Sequence, residues 1–105
     1  ASYRLAIQLN PKHALARNGL GFALMKQENW DEAIAEYREA LKINPNYAHA
    51  LANLGEALWG QGQAVDAIAS LEQAKALFQK QQEFRLVNQI DLFIQHIRES
   101  SSRVS

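Results

Sequence analysis

The 105-residue sequence contains no cysteine. That excludes disulfides, thiolate metal sites and thiol nucleophiles. Neither sign of charge is in excess, because 11 basic side chains balance 11 acidic ones. The positive field that dominates nucleic-acid affinity is missing, so no nucleic-acid partner is expected. No apolar run approaches the roughly 20 residues of a membrane span, so no membrane partner is expected either. No signal peptide opens the chain, and the first residue is Ala1 instead of Met. The sequence is therefore expected to be a piece of a longer chain, with a cytoplasmic setting as the expected location. Catalytic signatures are lacking too: there is no phosphate loop, no dinucleotide fingerprint and no GxSxG. His13, His49 and His96 stand apart in sequence, with no i, i+4 pair and no HExxH, so neither a metal nor a cofactor is expected. Acid pairs such as Asp31-Glu32 read as helix N-terminal charges favoured by the macrodipole. At this length there is one domain with one core and little room for an internal active site. The chain is expected not to be an enzyme.

What is present is self-similarity. Tyr3-Arg4-Leu5-Ala6-Ile7-Gln8-Leu9-Asn10-Pro11 recurs as Tyr37-Arg38-Glu39-Ala40-Leu41-Lys42-Ile43-Asn44-Pro45, an offset of 34 residues. Leu20-Gly21, Ala23-Leu24, Gln27 and Ala33-Ile34-Ala35 recur at the same offset as Leu54-Gly55, Ala57-Leu58, Gln61 and Ala67-Ile68-Ala69. Residues 14–47 and 48–81 are identical at 11 of 34 positions. A fixed period of this size marks a stacked repeat architecture. Each unit reads as two helices. Leu20, Ala23 and Leu24 fall at helical spacing within 14–27. Asn29 with Glu32 forms a capping-box pattern that opens a second helix to Asn44. Pro45, without an amide donor, ends it. The second unit predicts helices near 48–61 and 64–79, split by Gly60 and Gly62.

The period and the residues at its marked positions resemble the tetratricopeptide repeat (TPR). Leu20, Gly21, Ala33, Tyr37, Ala40 and Pro45, then Leu54, Gly55, Ala67, Leu71 and Ala74, fall on that family's signature positions. The resemblance covers roughly residues 1–80, and it implies an all-α, right-handed superhelical solenoid of antiparallel helix pairs. Residues 1–13 would be the second helix of a partial repeat, 14–47 and 48–81 full repeats, and 82–98 a C-terminal capping helix, with 99–105 a flexible polar tail. Gly21, Gly55, Ala33 and Ala67 would leave room for close helix contact, with Tyr37 and Leu71 filling the space. Two residues depart from the pattern: Glu28 where a Gly often closes the first helix, and Gln79 where a proline often ends the second.

The resemblance also implies a concave surface lined by the first helix of each repeat. Position by position, the partner-binding candidates are Leu15, Asn18, Phe22, Met25 and Lys26, then His49, Ala52, Asn53, Glu56 and Trp59. Lys12, Asn46 and Tyr47 would lie at the adjoining turns, and Glu83, Leu86, Ile90 and Phe93 on the last helix. This wall is apolar for the family. Two readings stand: a trough for an extended or helical peptide, or side chains that pack on each other and on helix 82–98. The chaperone-tail carboxylate clamp of one TPR subtype is not expected. Its basic and asparagine positions hold Asn18 and Phe22, Ala52 and Glu56, and Glu83 and Val87; only Asn53 matches.

The expected function is a non-catalytic scaffold that binds a protein or peptide segment. Self-association through the terminal helices, or service as an accessory arm of a larger enzyme such as a transferase, are the alternatives. Charge is segregated along the chain. Residues 1–27 carry Arg4, Lys12, Arg17 and Lys26 without an acid, whereas 28–39 carry five acids against Arg38. This reads either as solvated helix faces or as a steering field for an acidic partner.

Overall fold

The computed structural model describes residues 2–10 and 12–104. Among them there are six helices and no strand: α1 (Ser2–Leu9), α2 (Ala14–Lys26), α3 (Trp30–Ile43), α4 (Ala48–Gly60), α5 (Ala64–Lys80) and α6 (Phe84–Val104). Pro11, the sequence counterpart of Pro45, lies outside the described residues. The turns follow from local chemistry. Asn10 and Asn44 occupy equivalent places, and each side-chain carbonyl accepts the amide N–H two residues on, at 3.1 Å for Lys12 and 3.2 Å for Asn46. Such Asx turns divert the backbone from the helix. Where the second full repeat has Gln79 instead of proline, α5 continues to Lys80.

A second kind of turn closes α2, α4 and α5. The Asn29, Gln63 and Glu83 N–H groups each reach back to the carbonyl five residues earlier, on Leu24, Leu58 and Phe78, all at 2.9 Å. That bond needs a left-handed residue just before the donor. Gly62 supplies it at φ +90°, but Glu28 and Gln82 adopt φ +60° despite their side chains. The capping box expected at Asn29 is not formed. Asn29 makes no side-chain cap, and its amide donates to Gln27 instead. The cap that does form went unanticipated: the Ala16 N–H donates to His13 Nδ1 at 3.2 Å and starts α2.

The helices stack as antiparallel neighbours in chain order. Their spacing is set by glycine. A Cβ on Gly21 would lie 2.7 Å from the Tyr37 ring, and one on Gly55 2.6 Å from Leu71 Cγ. Each large side chain occupies the hollow on the helix before it, and the arrangement recurs one repeat later. Around these contacts runs one continuous core, from Leu20 through Ala33, Leu54, Ala67 and Phe78 to Ile97. Tyr37, Leu71, Phe78 and Ile97 are its largest fully buried members. The first helices α2 and α4 touch directly, whereas α3 and α5 stand farther apart. The stack therefore curves with α2 and α4 on the inner side.

The last helix turns Val87, Ile90, Ile94 and Ile97, at spacings of 3, 4 and 3, onto the core, and Lys75 of α5 pairs with its Asp91 at 2.7 Å. Residues 99–105 were expected as a flexible tail; 99–104 continue the helix, and Ser105 lies outside the described residues. The Gln95 amide donates to Glu99 and the Ser102 hydroxyl to the Glu99 carbonyl, so short-range bonds carry the last turns.

Two stability outcomes follow. Glu28→Gly should relieve a left-handed strain of about 1 kcal/mol and raise the urea midpoint. Gly55→Ala should drive a methyl into Leu71 and cost about 1–3 kcal/mol, read as a drop in the same midpoint.

Candidate functional site

Asn18 on α2 and Asn53 on α4 face each other across the two repeats. The Asn53 amide donates to the Asn18 carbonyl oxygen at 3.1 Å. They lie in a cleft of about 590 Å³ on the inner side, together with Leu15, Phe22, Tyr47 and His49. Tyr3 and Gly19 complete its lining. A Cβ on Gly19 would sit 2.3 Å from the Tyr3 ring, so that glycine lets α1 reach the cleft. Tyr3 was not among the expected site residues. It is 43% exposed, whereas its repeat counterpart Tyr37 is buried.

The cleft mixes apolar and polar surface. Leu15 is 65% exposed and Phe22 43%. Lys26 holds its ammonium 5.0 Å above the Phe22 ring, which fixes one rim by a cation–π contact. Burial pushes the Tyr47 hydroxyl pKa upward, and a hydrogen bond with Asn18 opposes the shift. His49 stands edge-on to Phe78, ring centres 5.0 Å apart, and so is braced from the core side while remaining exposed.

The other half of the expected wall differs. Met25 is buried within the core, where the Tyr37 hydroxyl donates weakly to its sulfur at 3.9 Å. Ile90 is buried in the α6 stripe. Neither lines a groove. Met25 sits where the inner face of α2 gives way to its core face, and Tyr37 claims it. Ile90 belongs to a helix that turns its whole apolar stripe inward. Trp59, Leu86, Phe93 and Ala52 are half-buried and pack against the core. Trp59 also meets His96 of α6 edge-on, centres 6.2 Å apart. Glu56 and Glu83 are exposed. Of the two readings of the wall, packing holds for the α6 end, and an open cleft remains at the α1 end.

Charge segregation is partly settled within the chain. Arg17 of the basic stretch pairs with Glu36 of the acidic one at 2.9 Å. Asp31 accepts a hydrogen bond from Gln61 of the next turn. Among the described residues no group of acids and histidines could hold a metal, and no helix is long and apolar enough to cross a membrane.

Burial raises the Tyr37 pKa well above the ordinary phenol range, and the Glu56 carboxylate pushes the same way. A raised folded-state value means stability that is intact below the unfolded value near about pH 10 and lost as pH climbs toward the folded one. Wild-type urea midpoints should therefore decline above that pH more steeply than those of Tyr37→Phe. Parallel curves for the two proteins would contradict the assignment.

Comparison with known proteins agrees with this geometry. The TPR repeat family model matches residues 23–62. The structure resembles the type III secretion translocator chaperone SycD of Yersinia enterocolitica (TM-score 0.88, 19% identity, 95% of this chain and 70% of that one). It resembles the TPR2B domain of yeast Sti1, solved in complex with pHsp70, equally well (0.88, 21%, 93% and 78%). Protein BPP2914 of Bordetella parapertussis is similar at a TM-score of 0.82, with 25% identity over 96% of this chain and 88% of that one. No curated protein sequence matches the chain. The 34-residue recurrence, the repeat matched over residues 23–62 and the stacked helical hairpins give this chain the tetratricopeptide-repeat fold.

Proposed function

We propose that the chain is a non-catalytic binding module that takes an extended protein segment in the cleft between α1, α2 and α4. The observation that carries this reading is the convergence in one cleft of about 590 Å³ of an amide pair, Asn18 and Asn53, with the open apolar surfaces of Leu15 and Phe22. An extended backbone presents unpaired N–H and C=O groups. Primary amides both donate and accept, and so suit it at any side-chain sequence. Leu15, Phe22 and Tyr3 then offer the apolar contacts that select a bulky side chain. A cleft of this volume holds a few side chains, not a folded partner. The pHsp70 complex of the yeast structure is in keeping with a protein-derived ligand for this fold. A basic clamp for a terminal carboxylate is not part of the proposal, because Phe22 and Glu56 stand at clamp positions.

The test is a screen of immobilised peptides, followed by Phe22→Ala and Asn18→Ala. With the fold intact by circular dichroism, each should weaken binding about tenfold or more, as removal of an interface anchor does. Full affinity in both variants would show that the ligand sits elsewhere.

A second reading, self-association, rests on α1. Leu5 and Leu9, four residues apart, are 56% and 79% exposed on one face. A symmetric dimer would cover them. Light scattering should then report a doubled mass that Leu9→Glu returns to that of a single chain. A single-chain mass for the wild type at every concentration would remove this reading.

A further inference from the structure

The outer side of the stack carries two clefts that are equivalent by the 34-residue repeat, yet their chemistry differs. The first, about 420 Å³, lies between α1 and α3 over α2, and Arg17 and Glu36 line its floor as an ion pair at 2.9 Å. The second, about 610 Å³, lies between α3 and α5 over α4. The residues one repeat on from Arg17 and Glu36 are Leu51 and Ser70. The Ser70 hydroxyl donates to the Leu51 carbonyl at 2.7 Å and turns away from solvent. A long ion pair is thus replaced by a short, internally satisfied contact. The second cleft is wider, and its floor is apolar, formed by Leu51, Leu54 and Leu58.

Three helices meet in this cleft, and each contributes residues at helical spacing. On α3 these are Arg38, Leu41 and Lys42; on α4, the three leucines; on α5, Asp66, Ala69, Ser70 and Gln73. Ridges at i, i+3, i+4 and i+7 are the form of surface into which another helix packs. The rims are charged with opposite signs. Arg38 and Lys42 line the α3 side, Lys42 also meeting Glu39 at 3.1 Å, and Asp66 lines the α5 side.

We propose that this outer cleft is a second protein-docking site, distinct from the inner one, whose occupant is an amphipathic helix with a leucine-like stripe and carboxylates along one flank. The stripe lies on Leu51, Leu54 and Leu41, and the carboxylates face Arg38 and Lys42. Amide or amine side chains on the other flank face Asp66. The inner cleft and this one sit on opposite faces of α4, so both can be filled at once. The chain then links an extended segment to a helical one.

The probe is a stapled, fluorescein-labelled helix with Leu at i, i+3 and i+7, glutamates on one flank and glutamines on the other. Fluorescence anisotropy should show saturable binding to the whole chain, and amide shifts in NMR should fall on Arg38, Leu41 and Ser70. Replacing the glutamates by lysines should weaken binding about tenfold, and Arg38→Glu should do the same from the protein side. The double variant Leu51→Arg with Ser70→Glu transplants the ion pair of the first cleft into the second; it should fold and lose the probe, while Phe22→Ala should not affect the probe. The proposal is overturned by no binding to the wild type, by shifts confined to the inner face, or by equal affinity of the acidic and basic helices. A probe that binds only in the inner cleft would remove this site and leave the inner-cleft proposal standing.

Discussion

One contact governs the rest: a large side chain on the second helix of a repeat sits in the hollow that a glycine leaves on the first. Tyr37 on Gly21 and Leu71 on Gly55 lie at the same place one repeat apart, and neither glycine could carry a Cβ without displacing its neighbour. Close approach at that point buries Ala33 and Ala67 completely. Because the contact recurs every 34 residues, so does the step between hairpins, and a regular step makes a curved stack. The clefts are consequences of that curvature. The outer clefts lie where neighbouring second helices are held apart over a first one.

The sequence made much of this legible, and the reasons are local. Asn44-Pro45 has only one conformational meaning, and it ends α3 as expected. Gly21 and Tyr37 could be paired because a second copy of the pattern confirmed which positions belong together. Leu15, Asn18, Phe22, His49 and Asn53 were assigned to one wall by position and Tyr47 to the turn beside it, and these six line a single cleft.

What the sequence hid were features set by neighbours. Met25 and Trp59 occupy equivalent places, yet the sulfur is held by Tyr37 in the core while the indole is half-buried beside His96. A helix wheel cannot separate these outcomes, because both residues stand at the boundary between two faces. Ile90 was placed on the wall by extending the repeat into α6, but α6 presents its stripe to the core and not to a groove. The contrast between the two outer clefts was visible as Arg17 and Glu36 against Leu51 and Ser70. Its meaning required knowing that these pairs lie on facing helices. His13 as a helix cap is a similar case: a ring nitrogen can accept an amide proton, but the sequence pattern favours Ser, Thr, Asp and Asn there.

The central claim is that the inner wall is open at the α1 end and that its expected apolar lining is otherwise absorbed into the core. The single methionine gives a direct reading of it. With Met and Leu methyl groups carbon-13 labelled, a soluble gadolinium chelate should broaden the Leu15 methyl signals strongly and leave the Met25 methyl as sharp as that of buried Leu71. Broadening of Met25 equal to that of Leu15 would place Met25 on an open wall and contradict the account.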